Sequence, residues 1–179
     1  DAAQPPVGHL SKTMKTLYLI RHAKSSWEIP RLADFDRPLN DRGNQDAPEM
    51  GKRFAAKGIH PDLLVSSPAL RAGETARKIA VAIGYPENEI EFRPGIYLAG
   101  IPELLEEIIR LPSETAVVFL IGHNPGLTDL TEYLTGTWVG NIPTCGTACI
   151  RMDGESWGLA GRGVGTLQYL DYPKKPFKS

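Results

Sequence analysis

Thr16-Leu-Tyr-Leu-Ile-Arg-His-Ala23 carries an almost unbroken apolar run straight into an arginine and a histidine. A run without polar alternation predicts a strand covered on both faces, the mark of a parallel sheet sandwiched between helices. Asp62-Leu-Leu-Val65 and Thr115-Ala-Val-Val-Phe-Leu-Ile121 repeat the pattern, and Glu89-Ile-Glu-Phe92 is a weaker edge candidate. Between them, Ala72, Ala76, Ile79, Ala80 and Ile83 recur at helical spacing from Ala69 until Gly84 stops the helix. Leu104, Leu105, Ile108 and Ile109 form an apolar stripe after Pro102. Asn40 can cap a helix to about Lys57, although Gly43 and Pro48 predict irregularity. Strands alternating with helices predict an α/β sandwich around a mainly parallel sheet. Thr147–Arg151 and Gly165–Leu170 add β character at the C-terminal end.

The 179 residues suit one domain, and a formal net charge of -1 gives no whole-molecule attraction to nucleic acid or an anionic membrane. Any preference for anions must be local. Cys145 and Cys149 are too few for a disulfide framework. Placed on one extended strand, they are too far apart to bridge, and free thiols fit a reducing cytoplasm. No apolar run reaches the ~20 residues of a membrane helix. Residues 1–13 read as a tag remnant or flexible extension, residues 14–172 as the domain, and residues 173–179 as a flexible tail.

Ligands of open α/β sheets bind beyond the carboxyl ends of the strands. The three apolar runs end in Arg21-His22, in Ser66-Ser-Pro-Ala-Leu-Arg71 and in Gly122-His-Asn-Pro-Gly126. Two arginines and two histidines therefore arise from three separate strand ends. Arginine forks suit phosphate oxygens, and Arg71 falls in the first turn of a helix, where unpaired N–H groups also favour an anion. Such fixed charges can take the role that Mg²⁺ fills elsewhere, so no metal or cofactor is expected. A histidine can attack phosphorus if one ring nitrogen is neutral and the other is hydrogen-bonded.

Leu17-Tyr-Leu-Ile-Arg-His-Ala23 resembles the Arg-His-Gly signature of the histidine phosphatase, or phosphoglycerate mutase-like, superfamily. Arg37-Pro-Leu-Asn-Asp-Arg-Gly43, Ser66-Ser-Pro-Ala-Leu-Arg-Ala72 with Thr75, and Ile121-Gly-His-Asn-Pro125 follow in the family's order. The resemblance implies a three-layer α/β/α fold, with His22 as the phosphorylated nucleophile and Arg21, Arg71 and His123 around the phosphate. Asn124, next in the last motif, joins them as a substrate-binding candidate. The length and Ala23 look most like the SixA branch, whose members remove phosphate from phosphohistidine in phosphotransfer proteins.

Family members that act on phosphate esters usually supply a Glu or Asp proton donor after the arginine helix. Here that stretch reads Gly95-Ile-Tyr-Leu-Ala-Gly100, with no acid before Glu103; Glu28, Asp34 and Asp36 are the other candidates. An alkoxide leaving group needs that proton far more than an imidazole does. The expected substrate is therefore a phosphohistidine-bearing partner protein, with inorganic phosphate as product. The alternatives are a small-molecule phosphomonoesterase and a non-catalytic phosphoprotein-binding module.

Gly158–Gly165 lacks the following helix of a phosphate loop and reads as a mobile hairpin connection. His60 reads as a surface residue. Trp27 suits either a pocket wall or simple packing, and Glu74 either orients Arg71 or is exposed.

Overall fold

Alternation along β1 (Lys15–Arg21) divides the core in two. Leu17 and Leu19 enter one apolar cluster and Tyr18 and Ile20 the other, because successive strand side chains face opposite ways. In β4 (Val117–Gly122), Val118 and Leu120 likewise join the first cluster, and Phe119 and Ile121 the second. With both faces covered, each of these strands is apolar through its centre. The structure is a computed structural model describing residues 14–178; the expected N-terminal extension, residues 1–13, lies outside the described residues.

Six strands form one sheet in the order β3-β2-β4-β1-β5-β6. β3 (Glu91–Phe92), β2 (Leu63–Ser66), β4 and β1 run parallel, while β5 (Thr147–Met152) is antiparallel to both β1 and β6 (Gly165–Asp171). α1 (Asp41–Ala56) and α2 (Leu70–Ile83) cover one face through Phe54, Ala72, Ala76 and Ile79. α3 (Ile101–Ile109) and α4 (Gly126–Thr135) cover the other through Leu104, Ile108, Leu127, Leu130 and Leu134. The three-layer α/β/α arrangement is the one expected.

Local chemistry explains the helix limits. Asn40 Oδ1 accepts from Gly43 N at 2.9 Å and starts α1, while Gly84, at φ 75°, ends α2 in the left-handed conformation that glycine adopts freely. α1 runs unbroken through Pro48, contrary to the expected irregularity; burial of Ala47, Met50 and Phe54 holds its axis despite the missing hydrogen bond. The sequence analysis assigns no element to α4, whose Pro-Gly start and three threonines are weak helix signals.

Cys145 is not on the strand with Cys149: it lies in the turn before β5 at φ 59°, and both thiols are buried and free. The end of the domain and the first residue beyond it are fastened to α1. Arg53 pairs with Asp171 at 2.8 Å and donates to the carbonyls of Tyr172 at 2.9 Å and Pro173 at 2.8 Å. Gly158–Gly165 does join β5 to β6, preceded by the core residue Trp157. No helix among the described residues is long and apolar enough to cross a membrane.

Candidate active site

Because β1, β4 and β2 are parallel neighbours, their carboxyl ends share one edge of the sheet. His22 N donates to Gly122 O at 3.0 Å, and Ser67 N to Ile121 O at 2.9 Å, so the three strand-end segments are tied together by backbone bonds. Arg21, His22, Arg71, His123 and Asn124 all line one cleft of about 270 Å³.

His22 is oriented by its own chain. Its Nδ1 lies 2.7 Å from the Ala23 carbonyl, which can only accept, so Nδ1 carries the proton and Nε2 keeps an unprotonated lone pair. Arg71 Nε donates to that Nε2 at 3.3 Å. Thr75 Oγ1 accepts from Ala23 N at 3.0 Å and donates to Arg71 O at 2.8 Å, joining the nucleophile's loop to α2. Burial pushes the His22 pKa down to about 4, with the Arg71, Arg21 and Arg37 charges reinforcing it against the Ala23 carbonyl. The imidazole is neutral near pH 7.

Arg71 occupies the centre. It is 2 % exposed, donating to Asp34 O at 2.7 Å, to Asp34 Oδ2 at 3.0 Å and toward His123 Nδ1 at 3.4 Å. His123 Nε2 then donates to Ser67 Oγ at 2.7 Å, the tautomer that leaves Nδ1 as acceptor. Burial, His22 and Arg71 push the His123 pKa down to about 3. Donation by a charged His123 therefore requires a bound anion to draw a proton onto it. Arg21 donates to Ile142 O at 2.9 Å, but its buried Nε has no partner among the described residues.

The expected proton donors are elsewhere or ionised. Asp34 approaches the site, yet Tyr97 Oη at 2.6 Å, Arg71 at 3.0 Å and Arg37 at 3.1 Å all donate to its carboxylate. Led by the Tyr97 bond, these contacts lower its pKa to about 2. Glu103 Oε2 accepts from Gly100 N at 3.1 Å and caps α3. Glu28 and Asp36 are exposed and do not line the cleft. No carboxylate is among its lining residues, whereas Arg21, Lys24, Arg37 and Arg71 are.

Asn124 lines the cleft, but its amide is turned to the loops. Nδ2 donates to Asn141 Oδ1 at 3.0 Å and Ile142 O at 2.9 Å, and Oδ1 accepts from Thr128 N at 3.2 Å and Oγ1 at 3.0 Å. With both amide hydrogens and the oxygen engaged, it braces the site. Glu74 does not orient Arg71; it accepts from Leu39 N at 2.9 Å. Trp27 is a cleft wall, 76 % exposed and stacked 3.5 Å from the Arg37 guanidinium. His60 is exposed, as expected.

Sequence reasoning missed Arg37 as a site residue, and it raised Asp34 as a candidate proton donor rather than as the ionised partner of Arg71 and Arg37. Arg37 stood in a quoted motif, but its approach depends on Ser25 Oγ at 2.7 Å and the Ser25–Leu39 bridge.

A buried histidine among fixed cations is suited to hold and attack a phosphoryl group, and comparison with known proteins points the same way. The chain matches the histidine phosphatase superfamily (branch 1) over residues 17–96. It is 32% identical over 185 residues to an uncharacterized chloroplastic protein of Arabidopsis thaliana, covering 97% of this chain and 83% of that one. SixA from Agrobacterium tumefaciens superposes with a TM-score of 0.76 at 28% identity, covering 89% of this chain and 98% of that one. The protein histidine phosphatase SixA solved with tungstate gives a TM-score of 0.76 at 20% identity, over 88% and 97% of the two chains. The chain belongs to the histidine phosphatase superfamily; it has the phosphoglycerate mutase-like fold and is SixA-like within it.

Proposed function

We propose that this phosphatase removes phosphate from phosphohistidine on a partner protein, through a covalent phosphohistidine on His22 and without a metal. The observation that carries the reading is a cleft lined by four cations and two histidines but by no carboxylate. His22 Nε2 attacks phosphorus, the P–N bond to the substrate imidazole breaks, and that imidazole leaves with a proton taken from solvent or His123. Water then attacks phosphorus, the P–N bond to His22 breaks, and inorganic phosphate departs. Arg21 and Arg71 neutralise the equatorial oxygens in both steps. A strongly basic alkoxide needs a positioned acid at departure; imidazole, whose ring can take up a proton before the P–N bond breaks, leaves neutral without one.

The test compares phosphate release from a phosphohistidine peptide and a phosphoserine peptide, with wild type and His22→Ala. Phosphohistidine turnover should exceed phosphoserine turnover by about 10²-fold or more, the contribution of a missing general acid. His22→Ala should lose nearly all activity, and an acid-labile phosphoenzyme should be trapped in the wild type alone. Equal rates on the two peptides would favour a phosphomonoesterase, and binding without release a docking module. Activity lost on treatment with a chelator would overturn the metal-free step.

A further inference from the structure

A second hollow opens beside the phosphoryl cleft and shares part of its wall. Its volume is about 420 Å³, and Lys24 and Thr144 line both spaces. Its outer wall comes from the start of α1 and from the docked C-terminal stretch through Lys174. That stretch is fixed from beneath by the bonds of Arg53 to the carbonyls of Tyr172 at 2.9 Å and Pro173 at 2.8 Å.

The charges of the hollow are one-sided. Asp46 is the one carboxylate in its lining, and Arg42 engages it at 3.2 Å. Lys24 and Lys174 have no ion-pair partner among the described residues. A phosphoryl group and its imidazole would occupy much of the 270 Å³ cleft, so the rest of a protein substrate must leave across its rim. At Lys24 and Thr144 the cleft adjoins the second hollow, whose lining includes Lys24 and Lys174.

We propose that this hollow is a specificity subsite for a carboxylate side chain flanking the phosphorylated residue of the substrate protein. The inference rests on the phosphohistidine-protein reading above. Its chemistry is direct: a carboxylate entering here pairs with two exposed ammonium groups, Lys24 and Lys174, in an attraction that salt partly screens.

The test uses two peptides that carry the same non-hydrolysable phosphonate analogue of phosphohistidine and differ only in flanking Glu or Gln residues. Dissociation constants are measured by calorimetry on the full chain. The Glu peptide should bind about threefold to tenfold tighter, the range of a partly screened pair. In Lys24→Gln/Lys174→Gln the ratio should fall to about one, and both substituted positions are exposed, so folding is not at risk. Lys174→Gln alone should raise KM for an acidic phosphohistidine peptide with kcat unchanged. Equal affinity of the two peptides for wild type overturns the subsite and leaves the phosphohistidine reading standing. A preference that survives in the double variant also overturns it. Binding of neither peptide overturns both.

Discussion

Nε2 of His22 is nucleophilic only while it carries no proton, and two features keep it so, burial and the surrounding guanidinium groups; the Nδ1–H bond to Ala23 O at 2.7 Å fixes which nitrogen bears the proton but by itself favours the charged ring. The neutral form predominates above a pKa of about 4. In kcat/KM, which reports the free enzyme, the His22 ionisation should therefore produce no acid limb between pH 7 and pH 5, once substrate ionisation is corrected for. Steady-state kinetics across that range check this; an enzyme limb near the ordinary histidine pKa of about 6.5 would mean that the imidazole is solvated. Arg71 gives a second expectation. One planar fork reaches His22 at 3.3 Å, Asp34 at 2.7 and 3.0 Å and His123 at 3.4 Å. A lysine ammonium cannot make those bonds together, so Arg71→Lys should retain the charge and the fold yet lose about 10- to 100-fold in kcat/KM. Loss of secondary structure by circular dichroism would instead assign Arg71 a mainly structural role.

The elements act on the site by holding the short turn after β1. Gly43, in the first turn of α1, packs so tightly that a Cβ would lie 2.2 Å from Lys24 O, a backbone atom that cannot swing aside. Gly43→Ala should cost about 1 to 3 kcal/mol in urea denaturation, the usual cost of overpacking, and lower kcat by shifting the turn that carries His22. Thr75→Val would leave the Ala23 amide unsatisfied from the α2 side, with a similar loss of about 1 to 3 kcal/mol. Neither brace was legible in the sequence, since each joins residues far apart in the chain. The strands and α2 were legible because two-sided burial forces unbroken apolar runs, and Gly84 ends its helix by local conformation alone. α4 was not: its buried Leu127, Leu130 and Leu134 have helical spacing, but threonine-rich composition masked a helix stabilised by packing. Arg21, His22, Arg71 and His123 could be foreseen because each sits at or just beyond a strand end. Asp34 was legible as a candidate acid but not as the partner of Tyr97: each lies at a short 3-10 turn, and only the folded chain brings Tyr97 Oη within 2.6 Å of the Asp34 carboxylate.

Across the whole molecule the charges nearly cancel, at a formal net of -1, yet the cleft concentrates cations beside two neutral histidines. That arrangement links global stability to pH. In the unfolded chain both histidines titrate near 6.5, whereas folding lowers His22 to about 4 and His123 to about 3. At pH 5 the unfolded state therefore binds about two more protons at these positions than the folded state. A depressed histidine pKa favours the folded state fully above the unfolded value, and that advantage is lost as pH falls from about 6.5 toward the folded values. The midpoint of thermal unfolding should accordingly decline from pH 7 to pH 5, and His123→Asn should roughly halve the proton uptake attributed to the pair. Inorganic phosphate should oppose the decline in two ways: it binds only the folded cleft, and its negative charge favours protonation of the histidines there. Differential scanning fluorimetry from pH 7 to pH 5, with and without phosphate, measures both effects. A midpoint that is level with pH and indifferent to phosphate would mean that the histidines are neither shielded from water nor held against an anion site.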